Sequence, residues 1–302
     1  MRIFLTGGSG FIGRRLAAAL AARGDEVTVL TRSANGRVDG TGIAFIGGDP
    51  RVPGSWQHEA AAADAVINLA GASIFGRWTR RRKRSILQSR TASTANIVSA
   101  LAARKNTKRG VLINASAVGY YGFHGDEEIG ENAAAGGDFL AGVCAAWEEA
   151  ARAAAGPNVR VVLARFGLVL GEKGGVLGKM LPLARLGLGG PLGSGKQWFS
   201  WVHIDDLIGA LLFLLDRDGL DGPFNVCSPH PVRNRDLSRA LGRAFHRPAL
   251  LRTPGFLIRL VLGPFGNVIL RGQKTVPRRL LEAGYSFRRA DLENALAEIL
   301  KN

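Results

Sequence analysis

Cysteine is nearly absent from this chain, with two residues in 302, Cys144 and Cys227. They stand too far apart to read as a metal-binding or redox pair, so a disulfide framework is excluded and a reducing compartment is expected. Long apolar runs are missing too. Leu207–Leu215 and Phe256–Leu270 are the longest, both short of a bilayer span, and Arg259 and Pro264 interrupt the second. The N-terminal MRIFLTGGSGFIG has only a brief apolar stretch before its glycines, which reads as a first strand and not as a signal peptide. A cytoplasmic protein without a transmembrane segment is the expectation. Acidic residues are scarce beside basic ones, 24 Asp and Glu against 40 Lys and Arg, for a net charge of +16. Nucleic acid, an anionic membrane or an anionic ligand would each account for that excess. Only Arg80–Arg84 forms a dense run, and no RNA-binding signature of interleaved aromatic and basic residues accompanies it. The excess is therefore read as Arg spread over solvated helix faces, with no specific nucleic-acid partner and no metal site.

Glycine, by contrast, is abundant. Its 41 residues fall mostly in short clusters between apolar runs, which suits an α/β protein with many tight strand-to-helix turns. Strands are expected at Arg2–Thr6, Glu26–Thr31, Ile43–Ile46, Asp64–Leu69, Gly110–Ser116 and Val159–Ala164. Helical periodicity separates them, as in Phe11–Ala22, where Ile12, Leu16 and Leu20 share a face before Gly24 ends the helix. Strands joined by helical crossovers make a doubly wound parallel sheet of Rossmann type, with ligands at the carboxyl ends of the strands. The pattern loosens after Arg165, where helices dominate and Phe224–Cys227 reads as one more strand. The reading is a nucleotide-binding domain over 1–166, its sheet completed by parts of 200–228, and a smaller, mostly helical C-terminal lobe over 167–302 that meets substrate or partner.

Thr6-Gly7-Gly8-Ser9-Gly10-Phe11-Ile12-Gly13 follows a strand and opens a helix, the context that a dinucleotide fingerprint requires. One glycine permits the turn, another lets backbone approach a pyrophosphate, and the last lets helix and strand pack closely. At the end of the second strand an acidic residue would bind the adenosine ribose of NAD. Thr31-Arg32-Ser33 stands there instead, and Arg32 offers a guanidinium to the 2′-phosphate of NADP(H).

The stretches TGGSGFIG, DAVINLAGA, NASAVGYYG and FSWVHIDDL together resemble the extended short-chain dehydrogenase/reductase superfamily. RWTRRRKRSILQSRTAST, GLGGPLGSGKQWFSWVHIDDL and GQKTVPRRLLEAGYSF bring the chain closer to its epimerase family subgroup, also loosely labelled cell-division-inhibitor-like. That resemblance implies cofactor contacts at Gly7, Gly10, Phe11, Ile12 and Gly13, with Arg32 on the 2′-phosphate and Asp49 on the adenine. It implies Leu69, Ala70 and Gly71 on the far side of the pyrophosphate and ribose.

The superfamily's chemistry runs on a Tyr-x-x-x-Lys pair, in which Lys lowers the phenol pKa so that Tyr moves a proton at neutral pH. This chain has three tyrosines, and His124, Gly125 and Arg289 stand four residues after Tyr120, Tyr121 and Tyr285. If Glu148 keeps its place on the motif's helix, Leu140 replaces the Tyr and Cys144 the Lys. Ser116, at the end of the fifth strand, is the candidate to hold a substrate oxygen, and it reads equally as a residue that simply ends a strand. Tyr120 and Tyr121 follow on a loop expected to face the nicotinamide; either could donate a proton, with Tyr121 the candidate, but without a Lys neighbour a packing or substrate-stacking role is the preferred reading. His203 is read as structural, with Asp205 capping the helix after it, and Cys144 as a small buried filler. Two functions compete: an NADP(H)-dependent oxidoreductase or epimerase-like enzyme with an atypical proton donor, and a non-catalytic NADP(H)-binding sensor or scaffold. A basic surface protein that meets membrane or nucleic acid is a third. A homodimer is compatible with each, and the small-molecule substrate is not legible.

Overall fold

In the computed structural model, which describes residues 1–33, 42–105, 108–172 and 174–301, seven strands form one parallel sheet. They are β1 (Arg2–Thr6), β2 (Glu26–Thr31), β3 (Ile43–Gly47), β4 (Ala65–Asn68), β5 (Gly110–Ala117), β6 (Val159–Phe166) and β7 (Gly222–Val226). Their spatial order is β3-β2-β1-β4-β5-β6-β7. Ile3 lies opposite both Val27 and Ala65, and Gly110 opposite Val159. The order reverses between β1 and β4, and that switch point opens a crevice at the carboxyl ends of both strands.

A parallel sheet covered on both faces needs apolar side chains on both, and successive residues serve opposite faces. Ile3 and Leu5 pack with Leu16 and Leu20 of α1 (Phe11–Ala22). Phe4, between them in sequence, packs on the other face with Trp56 of α2 (Trp56–Ala62) and Ile97 of α3 (Arg80–Ala102). Ala151 of α4 (Phe139–Arg152) joins this second face. The β6 strand is buried along its whole length, although it contains Arg160 and Arg165. Arg160 survives there because its guanidinium donates to the carbonyls of Leu214, Leu215 and Leu220.

The C-terminal lobe holds α5 (Leu177–Arg185), α7 (Asn234–Ala244), α8 (Gly255–Leu262), α9 (Phe265–Leu270), α10 (Arg278–Glu282) and α11 (Leu292–Lys301). Leu177, Leu237, Leu241, Leu296 and Trp201 make its separate core. Between the lobes, α6 (Ile204–Asp216) covers the sheet beside α1. Its N-cap differs from the sequence expectation. His203, with extended backbone, occupies the cap, and its Nδ1 accepts from the Asp205 amide at 3.2 Å. Asp205 lies in the first turn, paired with Arg15 at 2.6 Å, while Asp206 accepts the amides of Arg288 and Arg289 and ties the C-terminal tail to α6. No helix among the described residues is long and apolar enough to cross a membrane.

Candidate functional site

A cavity of about 540 Å³ opens at the carboxyl ends of β1, β4, β5 and β6, within the size range of small-molecule sites. The β1–α1 turn forms one end of it. Gly7 has φ of +70°, and a Cβ there would stand 2.7 Å from the Leu69 carbonyl. A Cβ on Gly13 would stand 2.2 Å from the Gly7 oxygen, so this glycine lets α1 seat against the turn. Gly10 is different. The one heavy atom near its missing Cβ is the Gly7 oxygen at 3.1 Å, and the position borders the cavity at the N-terminus of α1. A bound anion there meets free amides and the positive end of the helix dipole.

Ile12, Leu69 and Gly71 also border the cavity. Ala70 is buried behind them, its amide donating to Asn68. Phe11 is partly taken up by the protein itself, because Gly171, Gly174 and Gly175 leave room for its ring and a Cβ on Gly174 would come within 2.2 Å of it. Arg32 is exposed at the end of β2, outside the cavity, and its charge lowers the pKa of Asp49 after β3. The larger cause of that lowering is Arg51, whose guanidinium binds the Asp49 carboxylate at 2.5 to 3.1 Å.

The other end of the cavity is built by β5 and α4. Asp138 caps α4 by accepting the amides of Leu140 and Ala141, and Leu140, Val143 and Cys144 then face the cavity one turn apart. Burial pushes the Cys144 thiol up to about 12, so it stays protonated at neutral pH. Ser116 also borders the cavity, 2% exposed, with its hydroxyl donating to Glu148 at 2.7 Å. Glu148 is fully buried and receives Arg165 in a two-pronged contact, at 2.7 and 2.8 Å, with Arg152 adding a third bond at 2.9 Å. Burial opposes the charge on Arg165, and its contacts with Glu148 and Tyr121 together outweigh it, raising the guanidinium pKa.

Tyr121 does not stand where the sequence reading put it. It has no exposed surface and does not border the cavity. Its hydroxyl donates to Asn225 at 2.6 Å and accepts from Arg165 at 2.8 Å, and burial drives its pKa upward. The cause is the short 3-10 turn Val118–Tyr121, which swings the phenol beneath β5 toward β6 and β7. Tyr120 stacks against Arg165 at 3.6 Å and is also absent from the cavity wall.

Sequence reasoning passed over three residues here. Arg90 of α3 lies against Gly71 on the cavity wall, stacks on Trp147 at 5.0 Å and donates to the carbonyls of Ala72 and Ile86. It forms no ion pair among the described residues, and burial lowers its pKa. In an arginine-rich helix nothing local set it apart. Asp138 had a readable signal, an Asp directly before an apolar helix. Arg165 had one too, since a charge inside an apolar strand demands a buried partner. His203, Asp205 and Glu298 stand within 4.8 Å of one another, but Arg15 and Arg289 already neutralise the carboxylates.

Residues 3–227 match the family model described as the NAD dependent epimerase/dehydratase family, and residues 253–299 match a domain of unknown function, DUF1731. The chain is similar to an epimerase family protein SDR39U1 homologue, chloroplastic, of Arabidopsis thaliana, at 38% identity over 100% of this chain and 87% of that one. It is similar to epimerase family protein YfhF of Bacillus subtilis at 35% identity over 99% of this chain and 98% of that one. The crystal structure of human epimerase family protein SDR39U1 with NADPH superposes with a TM-score of 0.88 at 35% identity, covering 100% of both chains.

Proposed function

The chain belongs to the NAD-dependent epimerase/dehydratase family, and from that premise we propose that it is an NADP(H)-binding, epimerase- or reductase-like member with an atypical proton donor. The observation that carries this reading is a glycine turn opening into a cavity whose far wall bears Leu140 and Cys144. In our reading the turn and the start of α1 hold the pyrophosphate, Arg32 meets the 2′-phosphate, and Asp49 meets the adenine. Leu69, Ala70 and Gly71 flank the far side of the cofactor. Arg90 adds a buried positive charge beside them, suited to a cofactor phosphate. The cofactor supplies hydride transfer.

The protein's own part is to hold the substrate, exclude water and handle a proton. Ser116 is the residue we assign to a substrate oxygen, and its bond to Glu148 holds the hydroxyl in place. Ile74, Phe75, Leu140, Val143 and Val268 make most of the remaining wall apolar. That lining favours a small apolar carbonyl compound or alcohol over a nucleotide-sugar. Neither Leu140 nor a protonated Cys144 replaces the Tyr–Lys pair.

The same two residues favour a second reading, a non-catalytic NADP(H)-binding sensor or scaffold, which would keep the turn and lose the dyad. Fluorescence titration tests the cofactor assignment. NADPH should bind about ten- to a hundredfold more tightly than NADH, as expected for one charge-assisted contact of about 1.5–3 kcal/mol. Arg32→Ala should erase the difference, and equal affinities in the unaltered protein would refute the assignment. An assay of small carbonyl compounds with NADPH separates the enzyme from the sensor.

A further inference from the structure

Helix α8 is turned inside out. Phe256, Leu257, Leu260 and Val261 are 66%, 40%, 71% and 68% exposed, at positions that share one helical face. Ile258 alone points firmly inward. The neighbouring Leu250 and Leu251 are 84% and 63% exposed, and Leu186 is 72% exposed. Backbone contacts tie residues 190–193 to Leu251 and Thr253, just ahead of α8. The Gly193 amide donates to the Thr253 carbonyl at 2.8 Å, the Thr253 amide donates to Pro191, and a Cβ on Gly190 would collide with the Leu251 backbone. Apolar patches of this kind mark interaction sites in soluble proteins.

The charge around the patch is mostly basic, with Glu293 pairing Arg243 at 2.5 Å and Asp236 standing 3.8 Å from Arg239. Between Asp236 and Glu282 the sequence carries nine Lys and Arg and no Asp or Glu, and between Glu172 and Asp205 it again carries bases only. A cleft of about 820 Å³ beside the patch is lined by Arg239, Arg243, Arg247 and Arg252, together with His246 and Leu250. Arg247 and Arg252 are exposed and form no ion pair among the described residues. We propose that this face docks on an anionic lipid bilayer, with the exposed side of α8 and Leu250–Leu251 entering the interface and the arginine cleft taking the phosphates of lipid headgroups.

An interfacial site needs apolar side chains and cations together, each supplying part of the affinity. A nucleic-acid backbone would satisfy the arginines and leave the leucines in water. A second copy of this chain would bury the leucines and oppose two positive rims. Of these three, the anionic bilayer uses both features. Docking would also bring it near the cavity, because Phe265 of α9 packs edge-on against Phe75 at the cavity wall, 5.6 Å between ring centres.

Vesicle flotation of the whole protein tests the proposal. Vesicles of equal phosphatidylglycerol and phosphatidylcholine should carry the protein, and pure phosphatidylcholine should carry at least about tenfold less. Arg247→Ala with Arg252→Ala should weaken binding about thirtyfold, at roughly a factor of five for each basic residue. Phe256→Asp with Leu260→Asp should abolish it while leaving NADPH titration and thermal melting unchanged. Leu260→Gln is the milder replacement if that pair fails to fold. No binding to the anionic vesicles, or equal binding to both compositions, overturns the proposal. So does undiminished binding by the Phe256 and Leu260 variants, matched by equal affinity for duplex DNA, which would mean a general polyanion surface. Self-association in sedimentation that Leu260→Asp removes, without vesicle binding, would assign the face to a second copy instead.

Discussion

At the β1–α1 end of the cavity the backbone makes the site, through glycines whose missing side chains leave room for the turn, the helix and a ligand. At the β5–α4 end side chains make it, through a chain of buried bonds that runs from Ser116 to Glu148, Arg165, Tyr121 and Asn225. The first end depends on the absence of atoms, and its turn, Gly7–Gly13, carries no charged side chain. The second depends on a carboxylate and a guanidinium, both sealed from water, each satisfied by the other. Damage should therefore differ in kind: lost ligand with an intact fold at one end, lost stability at the other.

Breaking the buried pair has the largest expected effect. Glu148→Gln leaves the Arg165 guanidinium buried beside a neutral amide and replaces one acceptor oxygen, either Oε1 that Ser116 and Arg165 use or Oε2 that Arg152 and Arg165 use, with an NH2 donor. A loss of about 3–5 kcal/mol in unfolding free energy is expected. Denaturant unfolding measures it, and a loss under about 1 kcal/mol would show that the pair is not the keystone of this end.

The glycine end should respond in the opposite way. Gly10→Val leaves the turn standing, since only the Gly7 oxygen lies near its Cβ, but its branch fills the path of a pyrophosphate. Cofactor affinity should fall at least about a hundredfold, roughly 3 kcal/mol, with melting of the cofactor-free protein little changed. A folded variant that still binds NADPH would reduce the turn to a structural feature.

Tyr121→Phe sharpens the contrast from the side-chain end. It removes a hydroxyl that Asn225 and Arg165 both use, so about 1–3 kcal/mol of stability should go. Because the phenol does not reach the cavity, cofactor binding and any turnover should persist. Lost turnover with full stability would return Tyr121 to the role of proton donor.

The same contrast explains what could be read in advance. The glycine turn is local: its residues are contiguous, its flanking strand and helix are amphipathic or apolar in the right period, and the parallel, doubly wound sheet follows from alternating elements. Strand β7 was anticipated within two residues for the same reason. The β5–α4 end is not local, since Arg165 lies 17 residues from Glu148 and Tyr121 lies 104 from Asn225. The 3-10 turn that rotates Tyr121 inward spans four residues and has no period to betray it. The α6 cap is His203 and not Asp205, because an imidazole nitrogen accepts an amide as an aspartate does, although Asp has the stronger cap preference in sequence.

The smallest expected effect concerns a second buried carboxylate that, unlike Glu148, lacks a full set of partners. Glu131 is 4% exposed. Its Oε1 accepts the amides of Asn225 and Arg279, while Oε2 has no hydrogen-bond partner among the described residues. Burial raises its pKa above the usual carboxylate range, against the pull of those amides. A carboxyl whose folded pKa is raised favours the folded state below its unfolded pKa of about 4.3, and that contribution is lost as pH rises through the folded value. Gln in its place keeps an oxygen for the two amides and carries no charge to bury. Glu131→Gln should therefore change stability by no more than about 1 kcal/mol at pH 7. The difference between variant and parent should move in the variant's favour between pH 4 and pH 7. Denaturant unfolding at the two pH values reads that slope directly. A difference that stays flat, or moves toward the parent as pH rises, would mean that burial does not hold the folded Glu131 pKa above its unfolded value.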